Sequence, residues 1–134
     1  MARMQKTSFR ILVVDDEPSV CKAYKMLLNR YGHDVSIVHD GRAALSLLES
    51  EQFDLVMTDY FMPNMMGDEL AARIKQRLPD QRIIMVSSFT ESFLASGTPP
   101  GGADGLLGKP FLNTDLVSAI SKVMAGSIAG GQRT

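Results

Sequence analysis

The sequence predicts an α/β domain built on a parallel sheet, doubly wound, with helices on both faces. Short apolar runs alternate five times with segments whose apolar residues recur at helical spacing. Parallel neighbours need such crossover segments, whereas antiparallel ones would be joined by tight turns. The run LVMTD then stops abruptly in Asp59, followed by a Met62-Pro63 break and Gly67. In open parallel sheets ligands bind outside the carboxyl ends of the strands, so a carboxylate placed there is a candidate functional group.

The elements follow in order. Residues 1–8 are polar and expected to fray. Arg10 to Val14 is the first strand, ending at Asp15-Asp16-Glu17-Pro18. Pro18 suits the first turn of a helix. Val20, Ala23, Leu27 and Leu28 then share a face, and Gly32 marks the stop. Val35, Ile37 and Val38 form the second strand. Asp40 is placed to cap the second helix, whose face carries Ala44, Leu47 and Leu48.

Leu55 to Asp59 is the third strand. Leu70, Ala71, Ile74 and Leu78 stripe the third helix, which Pro79 terminates. Ile83 to Val86 is the fourth strand, ending in Ser87-Ser88. The fourth helical slot is rich in Pro and Gly, so a helix there is short or distorted and confined to about Thr90–Ser96. Gly105 to Gly108 is a weak fifth strand. The last helix, capped by Asn113 or Thr114, carries Leu116, Val117, Ile120, Val123 and Met124 on one side. Residues 126–134 read as a Gly-rich flexible tail.

Composition narrows the function classes. The 134 residues match one domain, and 45% hydrophobic with 22% charged residues is ordinary for a globular chain. Fourteen basic against fifteen acidic residues leave a net charge of −1, so no overall field points to nucleic acid or membrane. Cys21 is the single cysteine, which excludes an internal disulfide and fits a reducing compartment. Its place on an apolar helix face predicts a buried thiol. The apolar stretch Ile11–Val14 is too short for a signal peptide, and nothing approaches the roughly 20 apolar residues of a membrane helix. The reading is cytoplasmic. His33 and His39 lack acid or thiol partners at ligand spacing and are expected in solvent. Lys22, Lys25, Arg73 and Lys75 read as solvated helix faces, and Met57, Met62, Met65 and Met66 as packing.

The chemistry lies at the strand ends, which supply Asp15 and Asp16, Asp59, Ser87 and Lys109. In a doubly wound sheet strands one, three and four are central neighbours, so these side chains converge. Crowded carboxylates repel. A hard divalent cation with oxygen ligands and retained waters, such as Mg2+, answers that repulsion best. With a lysine and a hydroxyl added, the site suits a tetrahedral anion, and an aspartate can accept a phosphoryl group covalently.

Taken in order, VVDDEP, TDYFMPNMMG, IIMVSS and GADGLLGKPF resemble the receiver domain of bacterial two-component response regulators, over about residues 9–125. The resemblance implies a flavodoxin-like sheet with strand order 2-1-3-4-5. It implies Asp59 as the residue phosphorylated by a sensor histidine kinase, Asp16 as direct Mg2+ ligand, and Asp15 as a ligand acting largely through water. The Phe61 backbone carbonyl would also face the ion. Ser87 matches the switch hydroxyl and Lys109 its cationic partner, with a cis Lys109-Pro110 peptide. Phe61 and Phe89, two residues beyond Asp59 and Ser87, would flank the path of hydrolytic water and slow loss of the phosphoryl group.

Implied partners are a histidine kinase or phosphotransfer protein and a downstream protein target or effector domain, with a homodimer as a further arrangement. No direct nucleic-acid or membrane contact is expected, and no enzymatic activity beyond self-phosphorylation and self-dephosphorylation. Two departures concern the read-out. Leu106 stands where the family has Tyr or Phe, and the fourth helical slot is Pro/Gly-rich, so the reorganising part is expected to be Thr90–Ala103. Two rivals fit less well. A haloacid-dehalogenase-like phosphatase would carry D-x-D after its first strand, and a flavin or nucleotide module would carry a Gly-rich phosphate loop there.

Overall fold

The computed structural model describes residues 7–88 and 99–132, with side chains to residue 125. The elements are β1 (Arg10–Val14), α1 (Pro18–Arg30), β2 (Asp34–Val38), α2 (Gly41–Ser50), β3 (Leu55–Asp59) and α3 (Gly67–Arg77), then β4 (Arg82–Ser87), a 3-10 turn (Pro100–Gly102), β5 (Gly105–Gly108) and α4 (Asn113–Gln132). All neighbouring strands pair in parallel, in the order β2-β1-β3-β4-β5. The order reverses between β1 and β3, which opens a crevice at their carboxyl ends. The expected flavodoxin-like arrangement is what the chain adopts.

Two apolar layers sandwich the sheet. Ile11, Val13, Met57, Ile84 and Val86 meet Tyr24 and Leu28 of α1 and Leu116, Ile120 and Val123 of α4. Leu12, Val14, Val56, Ile83 and Met85 meet Ala44 of α2 and Leu70, Ala71 and Ile74 of α3. Successive strand residues therefore serve opposite layers, and a sheet buried on both faces reads as an unbroken apolar run. Truncating a fully buried residue such as Leu55 or Ile84 to Ala is expected to cost about 2–5 kcal/mol.

The ends of the elements show where sequence reading and structure part. Asp40 caps α2 as expected, accepting the Ala43 amide at 2.7 Å. The last helix is capped differently: Asp115 reaches back to accept the Leu112 amide at 2.9 Å, ahead of Asn113. Its backbone continues helically to Gln132, past Ala125 where a flexible tail was expected. Glycine weakens a helix by about 1 kcal/mol per residue without forbidding it. The fourth helical slot at Thr90–Ser96 lies outside the described residues. Just after it, Gly101 (φ 69°) lies so close to α3 that a Cβ would strike the Asp68 carbonyl oxygen. Only glycine meets both demands.

Lys75 is not a solvated residue. Its ammonium lies 2.9 Å from Asp104 and 2.7 Å from the Gln81 carbonyl, because the chain entering β5 folds back beneath α3. His33 is likewise engaged: Nδ1 accepts the Phe9 amide at 3.1 Å and the two rings stack. Cys21 is buried as expected.

Candidate functional site

The carboxyl ends of β1, β3 and β5 bring the predicted residues together. Asp15 follows β1, and its amide still donates to the Val38 carbonyl at 3.2 Å, so pairing with β2 runs one residue past the strand. The side chain is 1% exposed. Oδ1 accepts the Glu17 amide at 3.0 Å, while buried Oδ2 has no hydrogen-bond partner. Burial holds this carboxyl above the ordinary carboxylate range; the Glu17 amide and Lys109 oppose the shift, and the charges of Asp59 and Asp16 add to it.

Asp59 is the last residue of β3, in register with Val86 of β4. Lys109, one residue past β5, places Nζ 2.8 Å from Asp59 Oδ1. Burial pulls the lysine pKa down, but the hydrogen bond and charge of Asp59, with the charges of Asp15 and Glu17, outweigh it and hold the pKa above its usual value. Asp15, Asp16 and Asp59 each offer an oxygen, all within 4.8 Å of one another. Asp16 is the exposed member at the mouth. Glu17 is the N-cap of α1 and makes no side-chain cap bond; Asp15 meets the helix start through Oδ1 alone, which leaves Oδ2 for the pocket.

The loop after β3 is closed by backbone bonds from Tyr60 to the Val86 carbonyl (2.9 Å) and from Gly67 to the Tyr60 carbonyl (2.7 Å). A Cβ on Gly67 would strike the Asp59 carbonyl oxygen, so glycine lets α3 begin directly against Asp59. Met62 and Met65 pack beneath this loop, and Phe61 stands half exposed, edge-on to Tyr60 at 4.8 Å. Lys109-Pro110 is cis, as the family resemblance implied.

Ser87 ends β4 and is buried. The Lys109 amide donates to its carbonyl at 2.9 Å, prolonging the β4–β5 ladder into the site. Leu106 lies opposite Met85 and packs with the layer that α2 and α3 cover, on the sheet face that Ser87 shares. Phe89 falls outside the described residues. On the other face Tyr24 is buried and stacks on Phe111 at 5.9 Å. Burial, with the charges of Asp15 and Asp59, raises the pKa of its hydroxyl. A groove of about 550 Å3 leads from Glu17, Ser88 and Lys109 along Val20, Tyr24 and Leu27 of α1.

Sequence reasoning missed His39. Its ring is on an exposed residue, yet Nδ1 lies 3.0 Å from the Asp15 carbonyl oxygen and 3.7 Å from Cys21 Sγ. A contact to a backbone carbonyl leaves no side-chain pattern to find.

A family model described as the response regulator receiver domain matches residues 11–121. The chain belongs to that family. Among its relatives, the response regulator receiver protein CpdR of Brucella abortus is 32% identical over 115 residues, spanning 86% of this chain and 96% of CpdR. The alkaline phosphatase synthesis transcriptional regulatory protein PhoP of Bacillus subtilis is 31% identical over 118 residues, which cover 88% of this chain and 49% of PhoP. The receiver thus spans nearly the whole of one relative and about half of the other. The solved structure of response regulator TrrA from Thermotoga maritima, in complex with Mg2+-BeF, superposes with a TM-score of 0.75 at 33% identity, covering 85% of this chain and 97% of that one. Among the described residues no helix of this receiver is long and apolar enough to cross a membrane.

Proposed function

We propose that this receiver accepts a phosphoryl group on Asp59 from a sensor histidine kinase or phosphotransfer protein in the cytoplasm, with Mg2+ bound, and so changes its contacts with a protein target. The observation that carries this reading is the ion pair of Asp59 with Lys109 inside a cluster of three carboxylates. The donor set fits a hard dication: every candidate ligand is oxygen, and buried Asp15 Oδ2 is an anionic acceptor without a partner. Asp15, Asp16, Asp59 and the Phe61 carbonyl would hold the ion. When bound, Mg2+ supplies positive charge against the repulsion of the acids and the developing charge of the phosphoryl oxygens.

The chain's own groups divide the remaining work. A carboxylate oxygen of Asp59 forms the new bond to phosphorus while the donor's P–N or P–O bond breaks and the donor leaves with the electron pair. Lys109 screens Asp59 before transfer and is placed to meet an equatorial phosphoryl oxygen afterwards. Ser87 is positioned at the neighbouring strand end to donate its hydroxyl to another. Phe61, two residues beyond Asp59 and half exposed, is the bulky apolar group proposed to restrict water there and favour a long-lived acyl phosphate. Beyond this self-directed chemistry no enzymatic turnover is proposed.

Incubation with acetyl phosphate and Mg2+ should add the mass of one phosphoryl group to the wild type and none to Asp59→Asn. A shift that persists in the variant, or never appears in the wild type, sinks the proposal.

A further inference from the structure

The peptide joining Asp15 to Asp16 sits at the root of the acidic pocket, and its carbonyl is gripped from two sides. His39 Nδ1 lies 3.0 Å and Cys21 Sγ 3.2 Å from the Asp15 carbonyl oxygen, with Sγ and Nδ1 3.7 Å apart. A carbonyl only accepts, so both neighbours donate: S–H from Cys21 and Nδ1–H from His39. That assignment puts the acceptor nitrogen of the neutral ring, Nε2, away from the carbonyl. The Asp15 amide meanwhile donates to Val38, the residue before His39. The end of β2 therefore holds both polar atoms of the Asp15 backbone.

Three carboxylates with oxygens inside 4.8 Å repel one another. Asp15 is walled in, and Asp59 is anchored by Lys109. Asp16, exposed at the mouth, is the member with room to swing away. The peptide unit is planar and rigid, so the direction of the Asp15 carbonyl sets where the Asp16 Cα and its side chain begin. We propose that His39 is a positioning residue: by donating Nδ1–H to the Asp15 carbonyl it keeps Asp16 turned into the pocket before a cation arrives, and so raises the affinity for Mg2+. This rests on the reading that the three acids hold a dication.

The decisive comparison is Mg2+ titration by calorimetry on the wild type, His39→Ala and His39→Asn. Loss of one oriented hydrogen bond should weaken Mg2+ binding of His39→Ala about three- to tenfold. The Asn side-chain amide can donate from a similar position and should restore affinity to within about twofold. A purely structural role would instead lower the melting temperature of both variants and leave Mg2+ affinity in place. Nitrogen-15 spectra of the metal-free wild type at alkaline pH should show the proton of the His39 ring on Nδ1.

Equal Mg2+ affinity in wild type and His39→Ala overturns the inference, as does a His39→Asn variant no better than Ala, or a ring protonated on Nε2. A wild type that binds no Mg2+ overturns the underlying reading too, and shows itself in the first titration before any variant is made.

Discussion

The two ends of the sheet handle charge in opposite ways. At the amino ends Asp104, Asp34 and Glu51 face cations, and Asp54 accepts the Arg10 amide at 2.8 Å. Asp104 accepts Lys75 at 2.9 Å, Arg82 at 3.2 Å and the Ile83 amide at 2.9 Å, while Arg10 faces Asp34 at 3.4 Å and Glu51 at 2.9 Å. At the carboxyl ends three acids share Lys109 as the one cation their contacts show among the described residues. The unpartnered buried atoms follow the same division. At the amino ends it is Arg82 Nε, on a guanidinium already ion-paired elsewhere; at the carboxyl ends it is Asp15 Oδ2, an anionic oxygen. Compensated charge secures the strands, and uncompensated charge leaves a place for something to bind.

Removing Asp104 should have the largest effect on folding. Asp104→Ala strands Lys75 and Arg82, each roughly three-quarters buried, and leaves the Ile83 amide unmet. The expected loss is about 2–3 kcal/mol in urea unfolding, with Mg2+ affinity unchanged. A parallel fall in Mg2+ affinity would break the separation of the two ends.

Asp15→Asn should act in the reverse sense. Burial raises this carboxyl above its ordinary value of 3.8, so its contribution to stability is present below that value and lost as pH rises through the higher folded one. At neutral pH the ionised group is therefore a cost. The variant should gain roughly 1 kcal/mol without metal, kept small by the open mouth of the pocket, and bind Mg2+ about tenfold more weakly. A variant less stable than wild type in chelator would contradict the account of Asp15 as a strained charge.

The smallest effect is expected at His33, at the amino ends. Burial lowers its pKa below 6.5, and the neutral ring accepts the Phe9 amide. Its contribution is present above pH 6.5 and lost as pH falls through the lower folded value. Thermal melts should drop by about one or two degrees more on acidification in the wild type than in His33→Gln. Identical pH profiles would remove His33 from the account.

The contrast also explains what was legible in the sequence. Strand bounds and the acid–lysine cluster could be read because each rests on side-chain type at fixed spacing: VVDD, the run into Asp59, and Lys109-Pro110; the strand order came from the family resemblance. Asp104 gave no such signal. Its partners Lys75 and Arg82 lie 29 and 22 residues away, and only the fold-back before β5 makes them neighbours. The grip of His39 and Cys21 on a backbone carbonyl was hidden for the same reason. Residues 126–134 read as a Gly-rich flexible tail, and the backbone of α4 runs helically to Gln132, because glycine is a weak helix former and does not forbid the helix.

The bond from the Lys109 amide to the Ser87 carbonyl has a mechanical consequence. It ties the hydroxyl-bearing residue and the ammonium-bearing residue into one body, since the β4–β5 ladder continues unbroken from Gly108 into that link. A backbone shift at either residue is therefore coupled to the other. A pull felt at either side chain is delivered to both strand tips at once, and through Pro110 to the threshold of the last helix.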